Sequence, residues 1–295
     1  MKKLILSFGL LFCFSACLLA SDGEVSDFNA LQSTSTPVAT PPLPLYRRQK
    51  PEIEFEVSDY SYKELVQKTP LRPNGQFMKF TGVMYGFSRE NFNRGYLRDP
   101  FFTDSQIRFM FGFLDYDGCK KKDPKYDDYS IPYKEKWCPS FYLDTRKLVH
   151  YPIQVLDTHL ELYPFSGLGY RLLWTYMGLR FSNYFYIPVG VTCKCQCKEG
   201  LSFDIRGEFD WMPLGLQLTG VIIPNIQLNG YGLGLSGKIS KKIGNVEFSA
   251  GPFFRYWNIP KSNTFKLKIG EDKHMLLYEP KNYTQELGIK LGVSF

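Results

Sequence analysis

Beyond about residue 50 the chain alternates apolar and polar residues with a period of two, in stretches separated by turns. The clearest is "LSFDIRGEFDW". Leu201, Phe203, Ile205, Phe209 and Trp211 share one face, interrupted by Gly207, while Ser202, Asp204, Arg206, Glu208 and Asp210 share the other. Successive strand side chains point to opposite faces, so this spacing predicts a strand between one apolar and one polar environment. Nine further stretches read the same way: "EIEFEVSDYSY", "GQFMKFTGVMYGFS", "SQIRFMFGFLDY", "VLDTHLELY", "GLGYRLLW", "NYFYIPVGVTC", "YGLGLSGKI", "NVEFSAGPFFRYW" and the terminal "NYTQELGIKLGVSF". Each is about as long as the roughly 9–11 residues that cross a bilayer as tilted β-structure.

The connections predict the arrangement of these strands. "CKEG", "KKIGN" and "PFSG" read as tight turns, and polar loops are expected over 63–74, 117–149, 175–182, 214–229 and 258–281. One further connection, about 89–103, is longer than the short class to which it belongs. Short turns at one end and long loops at the other are the asymmetry of an outer-membrane barrel. In hydrocarbon every backbone N–H and C=O must be paired, so a sheet there closes on itself. The expected fold class is therefore all-β: a closed antiparallel transmembrane β-barrel of about ten strands, with eight the runner-up, over residues 51–295. Closure pairs the first strand, near 52–62, with the last, 282–295, and puts both ends of the barrel chain on the short-turn side, read as the periplasm. A secreted soluble barrel with apolar residues inside, binding an apolar ligand, shares the same period and is the alternative.

Composition sharpens this picture. The 295 residues are 17% aromatic, mostly Phe and Tyr, which suits the aromatic girdles of membrane barrels. Residues 1–20, "MKKLILSFGLLFCFSACLLA", read as a signal peptide, with Lys2 and Lys3 before an apolar run and Ala20 at a small-residue cleavage site. Cys17 offers an alternative lipidation point. Residues 21–50 are rich in Ser, Thr and Pro and are expected to be a disordered leader. Of the formal net charge of +7, Lys2 and Lys3 contribute two, leaving +5 beyond the signal. That mild excess, together with export, argues against a nucleic-acid partner.

The terminal "LGVSF" resembles the C-terminal signal by which outer-membrane barrels are recognised for assembly: Tyr283, Leu287, Ile289, Leu291, Val293 and Phe295 alternate toward an aromatic last residue. The pieces "EVSDYSYKE", "TGVMYGF", "FSGLGYR", "NYFYIPVGV", "PFFRYWNI" and "YEPKNYTQELGIKLGVSF" resemble a group of uncharacterised Gram-negative outer-membrane barrels. The resemblance implies architecture, an outer-membrane location, and as partners outer-membrane lipid, the barrel-assembly machinery and periplasmic chaperones. It implies no activity.

Candidate chemistry lies on the polar faces. Asp157, His159, Glu161, Asp204, Glu208, Asp210, Glu247 and Glu286 supply acids and a histidine, and Arg108, Arg171, Arg206, Arg255 and Lys290 supply bases. Inside a narrow barrel such charges pair across the lumen as a polar core, or line a narrow conduit. Asp157, His159 and Glu161 share one strand face, which is the one arrangement that offers a general base for a hydrolase. Cys193, Cys195 and Cys197 share a face with Val189 and Val191, and read as small apolar residues at a strand end. Cys119 and Cys138 bracket a loop and are expected to form a disulfide. No metal or other cofactor is expected.

Overall fold

The computed structural model describes residues 51–66, 76–93, 100–120, 131–154, 160–175, 180–197, 200–219, 221–268 and 274–295. Among these the secondary structure is all strand: β1 (Glu52–Leu65), β2 (Gln76–Asn93), β3 (Phe102–Lys120), β4 (Ile131–His150), β5 (Ile153–Gln154), β6 (Leu160–Thr175), β7 (Arg180–Gln196), β8 (Leu201–Thr219), β9 (Val221–Gln227), β10 (Gly230–Ile243), β11 (Val246–Ile259), β12 (Phe265–Lys268), β13 (His274–Leu277) and β14 (Lys281–Ser294). Ten of them close an antiparallel ring in the order β1-β2-β3-β4-β6-β7-β8-β10-β11-β14 and back to β1. The closing pair runs the full length of both strands, from Glu52↔Ser294 to Leu65↔Lys281, so no edge is left to seek a partner. β5 pairs with β6, β9 folds back on β8, and β12 and β13 form a separate hairpin. The end where β1 begins and β14 ends is called the near end, and the opposite end the far end.

The expected count of ten is met, but through two compensating differences. β4 lies within 131–150, where a loop is expected, and β6 runs unbroken through "PFSG", where a turn is expected. β4 escapes the pattern because its faces are chemically mixed. Ser140, Tyr142, Asp144, Arg146 and Leu148 point inward against Phe141, Leu143, Thr145 and Lys147. Pro164 sits inside β6 because its missing N–H falls where β4 hands over to β5. Tyr151 N donates there to Pro164 O at 3.0 Å, and the ladder with β4 resumes at His150↔Phe165. The near-end connection 94–101 is long, as expected, but the rhythm is otherwise less regular than expected: the near-end connection 151–159 is also long, and the far-end connection 176–179 is short.

Which face is apolar is unambiguous. On β14, Leu287, Ile289 and Leu291 are 62%, 60% and 56% exposed, whereas Glu286 between the strands is 1% exposed. Val83, Tyr85 and Phe87 on β2 and Phe109, Phe111 and Phe113 on β3 continue this outer belt. Outward polar residues bound it: Arg89, Lys147 and Lys241 toward the near end, and Asp59, Asp115 and Gln285 toward the far end. At the far margin Phe209, Tyr231, Tyr256 and Tyr283 stack across four strands with centroids 6.1, 6.2 and 6.2 Å apart. An outward apolar band with aromatics along its margin is what a bilayer stabilises. A soluble barrel presents a polar outer face instead.

The far half of the interior is packed with side chains. Tyr60, Tyr62, Phe80, Met84, Met110, Leu114, Tyr116 and Tyr142 form one buried cluster, and Tyr184, Tyr186, Met212, Trp257 and Ile259 another. Gly169 makes room for this packing: a Cβ there would lie 2.1 Å from the Tyr186 ring. β3 and β4 slip register between Leu114 and Tyr116, and the extra residue in β4 leaves Trp137 in the left-handed region at φ 61°.

The expected Cys119–Cys138 disulfide does not form. Both are free thiols, with Cys119 opposite Pro132 and Cys138 opposite Leu114. Five residues of strand, about 17 Å at ~3.3 Å each, separate the two levels, far beyond a disulfide's reach. Between them, Lys120 and Ile131–Trp137 are strand.

Candidate functional site

The lumen carries its charge in tiers. At mid-barrel Arg108 on β3 donates to Glu56 on β1 at 2.6 Å and to Glu286 on β14 at 2.9 Å. Arg108 and Glu286 also both bond the Tyr142 hydroxyl on β4, and Ser58 donates to Glu286 at 2.7 Å. Above the guanidinium lies the Phe253 ring, 4.9 Å away. Arg171 on β6, the largest fully buried side chain among the described residues, lies 4.2 Å over the Tyr142 ring. Asp144 joins the tier to the opposite wall, 3.7 Å from Arg171 and 3.6 Å from Arg255, while Tyr186 donates to it at 2.5 Å. The result spans the barrel from β14 and β1 to β6, β7 and β11. Buried charges survive only with such partners.

Toward the near end, Arg146 and Arg206 share Glu208 at 2.8 and 2.9 Å, and Arg146 holds Gln106, which in turn donates to Glu90. Lys238 and Lys290 pair with Glu52 and Glu54 at the near rim, at 2.5 and 3.2 Å. His150 and Asp104, both buried, meet at 2.6 Å, with the His150 ring stacked on Phe102. Glu54, Glu90, Gln106, Arg146, Arg206, Glu208 and Lys290 line a polar cavity of about 70 Å³ that also reaches Arg108 and Arg255. Arg206 Nη2 is buried without a side-chain hydrogen bond. The cavity beside it has room for a few waters at roughly 15 Å³ each.

The third tier closes the far end. Arg180, at the start of β7, pairs with Glu64 of β1 at 2.5 Å and with Glu279 of the segment before β14. Glu279 N donates to Ser262 Oγ at 2.7 Å, and Ser262 N to Glu279 O at 3.0 Å, so the two ends of the β12–β13 excursion are tied together at its base. Two carboxyls share one guanidinium here. Burial, with Glu64 beside it, pushes the Glu279 carboxyl well above its ordinary range despite Arg180.

Of the residues singled out from the sequence, Arg171, Arg206, Glu208, Arg255, Lys290, Arg108 and Glu286 meet in these tiers. Asp204 pairs with Lys194 at 3.3 Å, Asp210 is buried beside Gly232, and Glu247 lies half-buried at the near rim. Asp157 and His159 lie outside the described residues. Glu161, the third member of that group, is buried and accepts from the Tyr163 hydroxyl. Cys193 and Cys195 are half-exposed free thiols on the outer face at the near end, and Cys197 is exposed beyond the strand.

Sequence reasoning missed Asp144, Arg146 and His150, because β4 was not recognised. It missed Arg180, Glu64 and Glu279, because they converge only through closure. His150, next to the stretch 117–149 read as loop, pairs with Asp104. Glu52, Glu54 and Glu56 alternate visibly with Ile53, Phe55 and Val57, so their inward face is legible in the pattern. Among the described residues most of the luminal charges are matched in ion pairs.

No protein-family model matches the sequence, and no curated protein matches it. Solved structures do match in shape. The outer-membrane protease OmpT from Escherichia coli aligns at 7% identity with a TM-score of 0.50, over 83% of this chain and 97% of that one. The transport unit of the Escherichia coli autotransporter AIDA-I aligns at 8% identity and a TM-score of 0.39, over 86% and 92% of the two chains. An outer-membrane channel from Pseudomonas putida F1 aligns at 11% and 0.37, over 89% and 100%. At such identities the first likeness speaks for the barrel fold alone.

Proposed function

We propose that the protein is an integral outer-membrane barrel with an occluded lumen, acting through its far-end surface as a surface or structural protein rather than as a pore. The observation that carries this is the mid-barrel tier. Arg108, Glu56, Glu286, Tyr142, Arg171 and Asp144 are bonded wall to wall, directly beneath a packed aromatic cluster. A conduit needs a continuous wet path, and ion passage here would require breaking several buried ion pairs. The outward apolar belt supports lipid as its surroundings. The β12–β13 excursion and the β8–β9 fold-back support the far end as the external one, with both barrel termini periplasmic. They are joined where Asn263 N donates to Ile226 O at 3.0 Å and Gln227 donates to Pro260 O at 2.9 Å. On this reading the alternating residues Tyr283 to Phe295 present the strand that the assembly machinery engages.

The test is conductance of the folded protein in planar bilayers. The reading predicts no stable open level across ±150 mV in wild type (about the range usually probed). A steady ohmic conductance that survives high salt overturns it. The hydrolase reading rests on His159, and the one described member of its group, Glu161, is already engaged by Tyr163.

A further inference from the structure

On the outer face, beyond the far margin of the belt, three lysines stand side by side on adjacent strands. Lys63 of β1 lies directly opposite Lys79 of β2, and Lys281 of β14 is its diagonal neighbour, since Leu65 faces Lys281 and Lys63 faces Tyr283. All three share the parity of the belt. Their sequence neighbours Tyr62, Glu64, Met78, Phe80 and Asn282 are buried inside. Like charges directly opposite across a strand pair are destabilising, and among the described residues no carboxylate pairs with Lys63 or Lys79. The nearest candidate, Asp117, faces Lys79 in register but is held by Lys134 at 3.2 Å. Lys281 reaches back over the Tyr283 ring, 4.9 Å from its centroid, which fixes its ammonium at the girdle.

Below the lysines come Ser61 and Thr81, and then the last apolar layer at Val83 and Leu287, with Asp59 in register between them at its margin. From Val83 to Lys79 is about 13 Å of strand at ~3.3 Å per residue, or about 10 Å of height at a tilt of ~40°. The headgroup layer is roughly 5–8 Å thick, and lysine stems extend along a surface toward such a layer.

We propose that Lys63, Lys79 and Lys281 form a binding site for a lipid whose headgroup carries a phosphomonoester, with its acyl chains lying on the belt beneath. The inference rests on the membrane reading above. A concentrated cationic row over an apolar wall matches an anionic headgroup joined to hydrocarbon, and a doubly charged phosphate relieves the Lys63–Lys79 repulsion that a zwitterionic lipid leaves in place. Each lysine at an anionic surface contributes roughly a fivefold gain in affinity, so the three together give about a hundredfold.

The experiment titrates the full-length protein, folded in dodecyl maltoside, with phosphatidic acid and reads bound lipid by native mass spectrometry. Phosphatidylcholine and inorganic phosphate are parallel arms. The expected result is saturable phosphatidic acid binding that weakens about a hundredfold in Lys63→Gln/Lys79→Gln/Lys281→Gln and is unchanged in the near-end control Arg89→Gln. Equal binding to wild type and triple variant overturns the proposal, as does equal binding of phosphatidylcholine. Inorganic phosphate that saturates the site alone also overturns it, since the ligand is then a free anion. If the protein carries no detergent or lipid at all, the membrane reading itself has failed, an outcome separate from loss of selectivity. The lysines are outward-facing, so retained heat-modifiable mobility of the triple variant shows that it folds.

Discussion

Arg108→Met removes the hub of the mid-barrel tier while keeping its approximate length and the apolar contact with Phe253. Each of the two ion pairs, at 2.6 and 2.9 Å, carries about 6 kcal/mol of gross attraction at an effective dielectric constant of 20. The desolvation of the guanidinium, several kcal/mol, offsets part of that. Removing the cation leaves Glu56 and Glu286 buried together. Glu286 keeps the Tyr142 and Ser58 hydroxyls, but Glu56 loses its named partner. The expected loss is about 3–5 kcal/mol, the usual cost of stripping one member from a buried pair. The assay is guanidinium unfolding of the protein in phospholipid vesicles, followed by tryptophan fluorescence, with stability read from the midpoint at unchanged slope. Arg108→Met/Glu56→Gln removes the stranded charge as well and recovers at least ~1 kcal/mol of the loss, the coupling expected of contacting residues. A loss below about 1 kcal/mol, or strict additivity in the double variant, refutes the hub.

Gly169→Val pushes a side chain into the Tyr186 ring and lowers stability by about 1–3 kcal/mol, as overpacking does. Adding Tyr186→Ala restores folding yield, and if the double variant is worse than either single one the contact is misassigned. The Glu279 latch predicts a pH dependence. A carboxyl with a raised folded value binds more protons folded than unfolded, so its contribution is full below the ordinary glutamate value of ~4.3 and declines as pH rises through the raised value. Amide exchange at Ser262 and Glu279 is therefore faster at high pH than intrinsic chemistry accounts for, and Glu279→Gln flattens that profile. An identical profile in the variant contradicts the latch.

Much of the barrel is legible in the sequence because lipid and lumen impose opposite demands on alternate residues. β8 and β14 show it directly: Ile205 and Leu287 meet lipid, and Arg206 and Glu286 meet the lumen. β4 hides because inward Tyr142 and Leu148 are as apolar as outward Thr145 and Lys147 are polar, so the period dissolves. "PFSG" misleads because turn residues inside a strand are tolerated where a neighbouring strand ends. The individual luminal charges are readable by parity on strands already recognised. Their partners are not, because Arg108 with Glu286 and Arg180 with Glu64 join residues brought together only by closure of the ring. The disulfide expectation fails for the same reason as β4: Ile131–Trp137, read as part of the loop, is ladder and carries Cys138 well down the strand from the level of Cys119.

The central claim is that the apolar face of the sheet meets lipid while the polar face is sealed inside. It is tested most directly by scanning nitroxide spin labels along β14 from Leu287 to Gly292, in a background with the cysteines changed to serine and the protein in bilayers. The account predicts that labels at Leu287, Ile289 and Leu291 collide with dissolved oxygen and not with a water-soluble nickel chelate, while labels at Gly288, Lys290 and Gly292 are shielded from both. Strong nickel accessibility at Leu287, Ile289 and Leu291 would put that face in water and contradict it.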